Sequence, residues 1–204
     1  MSQSRTGTDS MANISWTWLG IRASGITAWG LLTAVVLWGI LLKTQLLGRL
    51  ASPMRLLDLH RWLGAVAIGF LALHMVLLMV DTFMKFSIGA LLVPGLAPNE
   101  PLAYGLGTIA FWLLIPVTFL GRLRAKMGQV GNAWFKRAHL LAYAAWPFAT
   151  AHYVLAGTDA LAEWSLGLLF AGTALVVMAL LARGFVPAPG PARTITDRRT
   201  LTSS

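Results

Sequence analysis

The stretch 57–80, LDLHRWLGAVAIGFLALHMVLLMV, decides how this chain is read. It is apolar for long enough to cross a bilayer, whose hydrocarbon core of about 30 Å takes roughly 20 residues of α-helix. It also carries two histidines, His60 and His74, fourteen positions apart. A second stretch, 136–156, KRAHLLAYAAWPFATAHYVLA, carries His139 and His152, thirteen apart. These four are all the histidines of the chain. Ionisable side chains inside membrane helices are costly and mark function by default, so both stretches are candidate sites as well as candidate spans.

The rest of the composition agrees with a membrane setting. Of 204 residues, 57% are hydrophobic and 11% charged, and the mean hydropathy is +0.70, which is too apolar for an ordinary soluble domain. Nine tryptophans, twenty glycines and nine prolines fit the same class. The absence of cysteine excludes disulfides, thiol catalysis, cysteine-ligated iron–sulfur clusters and covalently attached c-type haem.

Five transmembrane helices in an all-α bundle are expected, near 18–42, 57–80, 102–120, 136–156 and 161–182. The first sixteen residues form a polar segment without the apolar run of a signal peptide. Residues 17–184 form the membrane domain, and 185–204, rich in Pro, Ser, Thr and Arg, form a tail expected to be disordered. The net charge of +9 comes from short loops between apolar segments. It therefore points to the positive-inside rule and to no nucleic acid partner. Thirteen Lys and Arg fall on one side of this topology and three (Arg5, Arg22 and Lys85) on the other. That split puts the N-terminus outside and the C-terminus in the cytoplasm of a multi-pass plasma membrane protein. The longest outer connection, 81–101, DTFMKFSIGALLVPGLAPNEP, is too short to cross and is expected to lie on the interface and cap the outer end.

The two histidine helices are separated by one crossing, so they run parallel. His60 then faces His139 near the cytoplasm and His74 faces His152 near the outside. At 1.5 Å per residue the members of each helix lie roughly 20 Å apart in depth. Neutral imidazole is a strong iron ligand that needs no buried charge, so the pattern predicts two stacked b haems with His60, His139, His74 and His152 as metal ligands. Two axial histidines leave no open position on iron, which favours electron transfer. One angle fits poorly: thirteen residues leave His152 about 140° around an ideal helix from His139, and a kink is expected at Pro147.

The paired spacing resembles the haem motif of the ferric reductase-like transmembrane superfamily, which includes ferric reductases, NADPH oxidases and the bacterial haem subunit of methionine sulfoxide reductase. GIRASGITAWG resembles that family's first core helix and WFKRAHLLAYAAWPFATAHY its second haem helix. The chain departs from many members by one helix fewer and by lacking a flavin and NADPH domain. By this resemblance Arg22 contacts outer propionates or an acceptor, and Trp146 lies between the haems. Arg61 and Arg137 stand next to the inner histidines and pair with inner propionates. The plainer readings are snorkelling for Arg22, positive-inside anchoring for Arg61 and Arg137, and core filling for Trp146. Gly64 and Gly69 give space to flat macrocycles or serve ordinary helix contacts. Trp16, Trp29, Trp38, Trp112, Trp134 and Trp164 read as belt or packing residues.

The function expected is that of a membrane oxidoreductase subunit of the cytochrome b kind. It passes electrons from a separate flavoprotein reductase, with flavin on that partner, or from a quinol donor. The acceptor is extracytoplasmic: ferric iron, oxygen or a periplasmic reductase. No set of acid, base or nucleophile appears, so the chemistry belongs to the haem. The competing readings are a quinone-reactive cytochrome b subunit of a larger complex and a haem-free structural or assembly subunit.

Overall fold

A computed structural model describes residues 16–44, 52–82, 84–124 and 126–185. The polar segment before it, the tail after it, and Arg5, Arg49, Arg193, Arg198 and Arg199 lie outside the described residues. These residues form seven helices: α1 (Trp16–Thr44), α2 (Pro53–Val80), α3 (Ile88–Leu92), α4 (Pro101–Leu123), α5 (Gly128–His139), α6 (Leu141–Ala156) and α7 (Glu163–Phe185). Among the described residues there is no strand. Four helices, α1, α2, α4 and α7, are long and apolar enough to cross a membrane.

Local chemistry sets several boundaries. Proline occupies the first turn of both α2 and α4, where its missing N–H is no loss. At the end of α2 the buried Asp81 carboxylate accepts a hydrogen bond from the Thr17 hydroxyl at 2.6 Å and another from the Met84 backbone N–H at 2.7 Å. The start of α1 is thereby tied to the end of α2. The 81–101 connection is anchored to the bundle. Its only helix, α3, has five residues and is fastened to α4, where Thr108 donates to the Leu91 carbonyl and Trp112 to that of Leu92.

The expected fourth span is different. The 136–156 stretch is divided at Leu140, where α5 ends and α6 begins. Pro147 lies inside α6, which continues through it, so the kink expected at Pro147 sits seven residues earlier. The cause lies in the hydrogen bonds: the N–H of Leu140 reaches Arg137 and that of Tyr143 reaches Leu140, both three residues back. Such a turn advances about 120° per residue instead of about 100°. Three such steps recover roughly 60° of the mismatch between His139 and His152. Helix α6 alone has 16 residues, shorter than the roughly 20 of a full crossing.

Helix α1 is the centre of the bundle. Leu32, Val36 and Ile40 pack with Leu114 of α4, Ala145 of α6 and Val176 of α7. A reciprocal clasp joins α1 to α6. The Trp29 indole donates to Thr150 at 3.0 Å and the Trp146 indole to Thr33 at 2.9 Å. Each threonine hydroxyl in turn donates to the carbonyl of the tryptophan four residues before it. The sequence unit is the same in both helices, Trp followed by Thr four positions on.

These contacts run in opposite directions along α1 and α6, and those of α1 with α2 do the same: Gly25 meets His74 while Gly39 meets His60. Helices α2 and α6 are therefore parallel, as the sequence implies. Helix α2 packs mainly on α1 and faces α4 and α6 across a cavity. Its outer face, with Trp62, Leu73, Val76 and Met79, is exposed. An apolar surface of this kind belongs against lipid.

Candidate functional site: two histidine pairs in one cavity

A cavity of about 1120 Å³ runs between α1, α2, α4 and α6 and contains all four histidines in its lining. Sites for single small molecules span roughly 300–1,000 Å³, so this one has room for more than one ligand. Its middle is apolar, walled by Leu32, Val36, Ile68, Leu71, Ala110 and Leu114.

At one end the rings of His60 and His139 face each other, with centres 5.9 Å apart and planes at 67°. Phe135, one turn before His139, lies 5.1 Å from it. The Nδ1 atoms of both His60 and His139 are buried and have no hydrogen-bond partner. At the other end His74 of α2 and His152 of α6 both line the cavity. Here the Nδ1 atoms are satisfied: His74 by the carbonyl of Ile21 at 2.9 Å, His152 by that of Ala103 at 2.8 Å. A ring N–H donated to a carbonyl leaves the Nε2 lone pair free, the arrangement that orients a metal-binding imidazole.

Glycines make room for these rings. A methyl group at Gly25 would stand 3.0 Å from the His74 ring, one at Gly39 3.3 Å from that of His60, and one at Gly107 2.8 Å from Nδ1 of His152. The sequence held a signal for two of them that periodicity alone did not expose. Gly25 and Gly39 are fourteen apart, the same interval as His60 and His74, as neighbouring antiparallel helices require. Gly64 lines the cavity and Gly69 is not part of its wall; a methyl at either would meet open space.

The remaining singled-out residues separate. Arg22 lines the outer end, where it forms an ion pair with Asp159 and lies 4.0 Å over the Trp18 ring. Arg61 lines the inner end and pairs with Asp58 at 3.1 Å on the exposed face of α2. Arg137 is turned away from the cavity, over the Trp134 ring. Trp146 is likewise outside the lining. Its indole is committed to Thr33 and its ring to the core between α6 and α1, so the expected place between two ligands is not where it lies. A tryptophan that does line the cavity is Trp29, 4% exposed and stacked on Tyr153 at 5.3 Å. The chain matches no protein-family model, no curated protein and no solved structure.

A two-histidine site at each end suits a flat macrocycle. Among the described residues no group of three or more His, Cys, Asp or Glu converges as a bare metal ion would require. A porphyrin brings its own four nitrogens and asks the protein for two axial ligands, which is the number each end presents.

Proposed function

We propose that this protein carries electrons across a membrane through two b haems, one held by His60 and His139 and the other by His74 and His152. The observation that carries the reading is the facing pair of imidazoles 5.9 Å apart. His60 and His139 would hold an iron between them, each offering a neutral ring nitrogen. The bound haem supplies a one-electron iron couple.

The chain's own groups do the rest. The carbonyls of Ile21 and Ala103 hold the outer rings by their Nδ1 protons, and the glycines of α1 and α4 let those rings approach the helix backbones. The apolar wall from Leu32 to Leu114 excludes water between the two ends, and Arg61 stands where an inner carboxylate would be met. With α6 taken as the fifth crossing and the positive-inside rule setting the sides, the His60 and His139 end receives electrons in the cytoplasm from a separate flavoprotein or a quinol. The His74 and His152 end passes them to an acceptor outside. The histidine spacing is also the ground for reading the chain as ferric reductase-like.

The test is the reduced-minus-oxidised spectrum of the detergent-purified protein, with haem counted per chain. Two low-spin b haems are expected, falling to one in His60→Ala or His74→Ala. A colourless protein after haem-replete expression, or two haems retained in both variants, overturns the proposal.

A further inference from the structure

The two mouths of the cavity differ sharply in charge. At the outer mouth the charged lining residues are Arg22 and Asp159, which neutralise each other. Six cations line the inner mouth: Lys43, Arg61, Arg122, Arg124, Lys136 and Arg183. Five come from five helices, α1, α2, α4, α5 and α7, and Arg124 caps the end of α4. All except Arg183 are exposed to solvent, and the one described acid at that end is Asp58, already paired with Arg61.

Membrane anchoring does not require this arrangement. Arg55, Lys126 and Arg137 are at the same end, are exposed, and stand outside the cavity lining. They suffice to mark a side. The six lining residues instead frame an entrance. A site for a single phosphate or carboxylate draws its donors onto one point at hydrogen-bonding distance. Here the cations are spread around a rim on separate helices, which suits a broad face of opposite charge.

We infer that the inner mouth is a docking face for the acidic surface of a soluble protein, and that the ring of cations around it selects and orients that partner. This rests on the electron-transfer reading only for what the partner delivers. With Arg61 already paired with Asp58, a two-carboxylate ligand inside would neutralise two of the other five charges and leave a surplus facing solution. A cleft lined by one sign of charge raises the association rate of opposite partners by about 10–1,000-fold, with steep loss in salt. The partner's redox group is thereby brought over the end where His60 and His139 face each other. The outer mouth, having no unpaired cation in its lining, makes no such selection.

The probe is fluorescent poly-L-glutamate, titrated onto the full chain in nanodiscs of zwitterionic lipid and read by anisotropy at several salt concentrations. Two double variants carry the same change in net charge: Arg122→Glu with Arg183→Glu at the mouth, and Arg55→Glu with Lys126→Glu beside it. The mouth pair is expected to weaken binding at least about tenfold more than the flanking pair, with a shallower salt dependence. Equal weakening by the two pairs overturns the inference and leaves membrane anchoring. Displacement of the peptide by millimolar inorganic phosphate overturns it in favour of a small-anion site. Preference for anionic vesicles that is lost in the mouth pair overturns it in favour of lipid headgroups. Binding needs no iron, so a colourless protein that still discriminates between the pairs breaks the haem reading alone.

Discussion

The two histidine pairs occupy opposite ends of one cavity and are held by different means. In the outer pair each ring is fixed twice, by a carbonyl on Nδ1 and by a glycine of the neighbouring helix against which it lies. In the inner pair His60 also lies against a glycine, Gly39, but otherwise the rings meet other rings, His60 against His139 and His139 against Phe135, and both Nδ1 atoms are buried without partners. An unsatisfied buried nitrogen costs about 1–3 kcal/mol. The outer pair is therefore preset for a ligand. The inner pair is compact but oriented by no hydrogen bond at Nδ1, and gains more of its order from whatever it binds.

Adding a methyl group tests this contrast most severely. Gly107→Ala places its Cβ 2.8 Å from His152 Nδ1, and Gly25→Ala places one 3.0 Å from the His74 ring, whereas Gly39→Ala meets His60 at 3.3 Å. The first two rings are pinned by their carbonyls and cannot swing aside without losing a hydrogen bond. His60 has none to lose. Gly107→Ala is expected to abolish one of two haem signals, Gly25→Ala to reduce the same signal, and Gly39→Ala to leave both nearly intact. A reversed order, measured as haem per chain, would show that the carbonyls do not set the rings.

A milder experiment sharpens the same point without mutation. With excess apomyoglobin as haem scavenger, the inner haem is expected to leave first, by about tenfold or more in rate, because two hydrogen bonds of about 0.5–1.5 kcal/mol each separate the sites. The order is assigned by repeating the measurement in His60→Ala and His74→Ala, each retaining one site. Simultaneous loss would make the two ends equivalent.

The smallest effect is expected midway between them. Thr33→Val or Thr150→Val removes one indole acceptor of the clasp between α1 and α6. Hydrogen bonds between membrane helices contribute about 0.6 kcal/mol on average and up to roughly 2 kcal/mol. Each variant is expected to lower thermal stability by about that amount and to affect both haem sites alike. Loss confined to one end would mean that the clasp supports that pair alone.

How far the sequence could be read depended on whether a feature lies along the helix axis or around it. Depth is legible, because a fixed rise per residue converts His60 to His74 and His139 to His152 into matched levels once the crossings alternate. Rotation is not, because helices that are apolar on all sides carry no face that marks the inside. Trp146 is accordingly expected in the cavity although its indole turns to Thr33, while Trp29 is the packing residue its sequence reading makes it and lines the cavity as well. The break at Leu140 had no sequence punctuation: the one helix breaker nearby, Pro147, is accommodated inside α6. The cations at the end of α4, Arg122 and Arg124, read as ordinary loop charges because nothing local shows that they line an entrance.

Helix α2 rests on α1 and has no other extensive helix contact, and this gives the ribosome a part in assembly. The hairpin of α1 and α2 is made first and displays His60 and His74 as half of each pair. Neither pair exists until the second half of the chain follows. His139 and His152 are only thirteen residues apart, so that one stretch brings the missing half of both levels. The chain's direction of synthesis thus separates the two halves of each pair, and the cavity is enclosed only when the second half arrives.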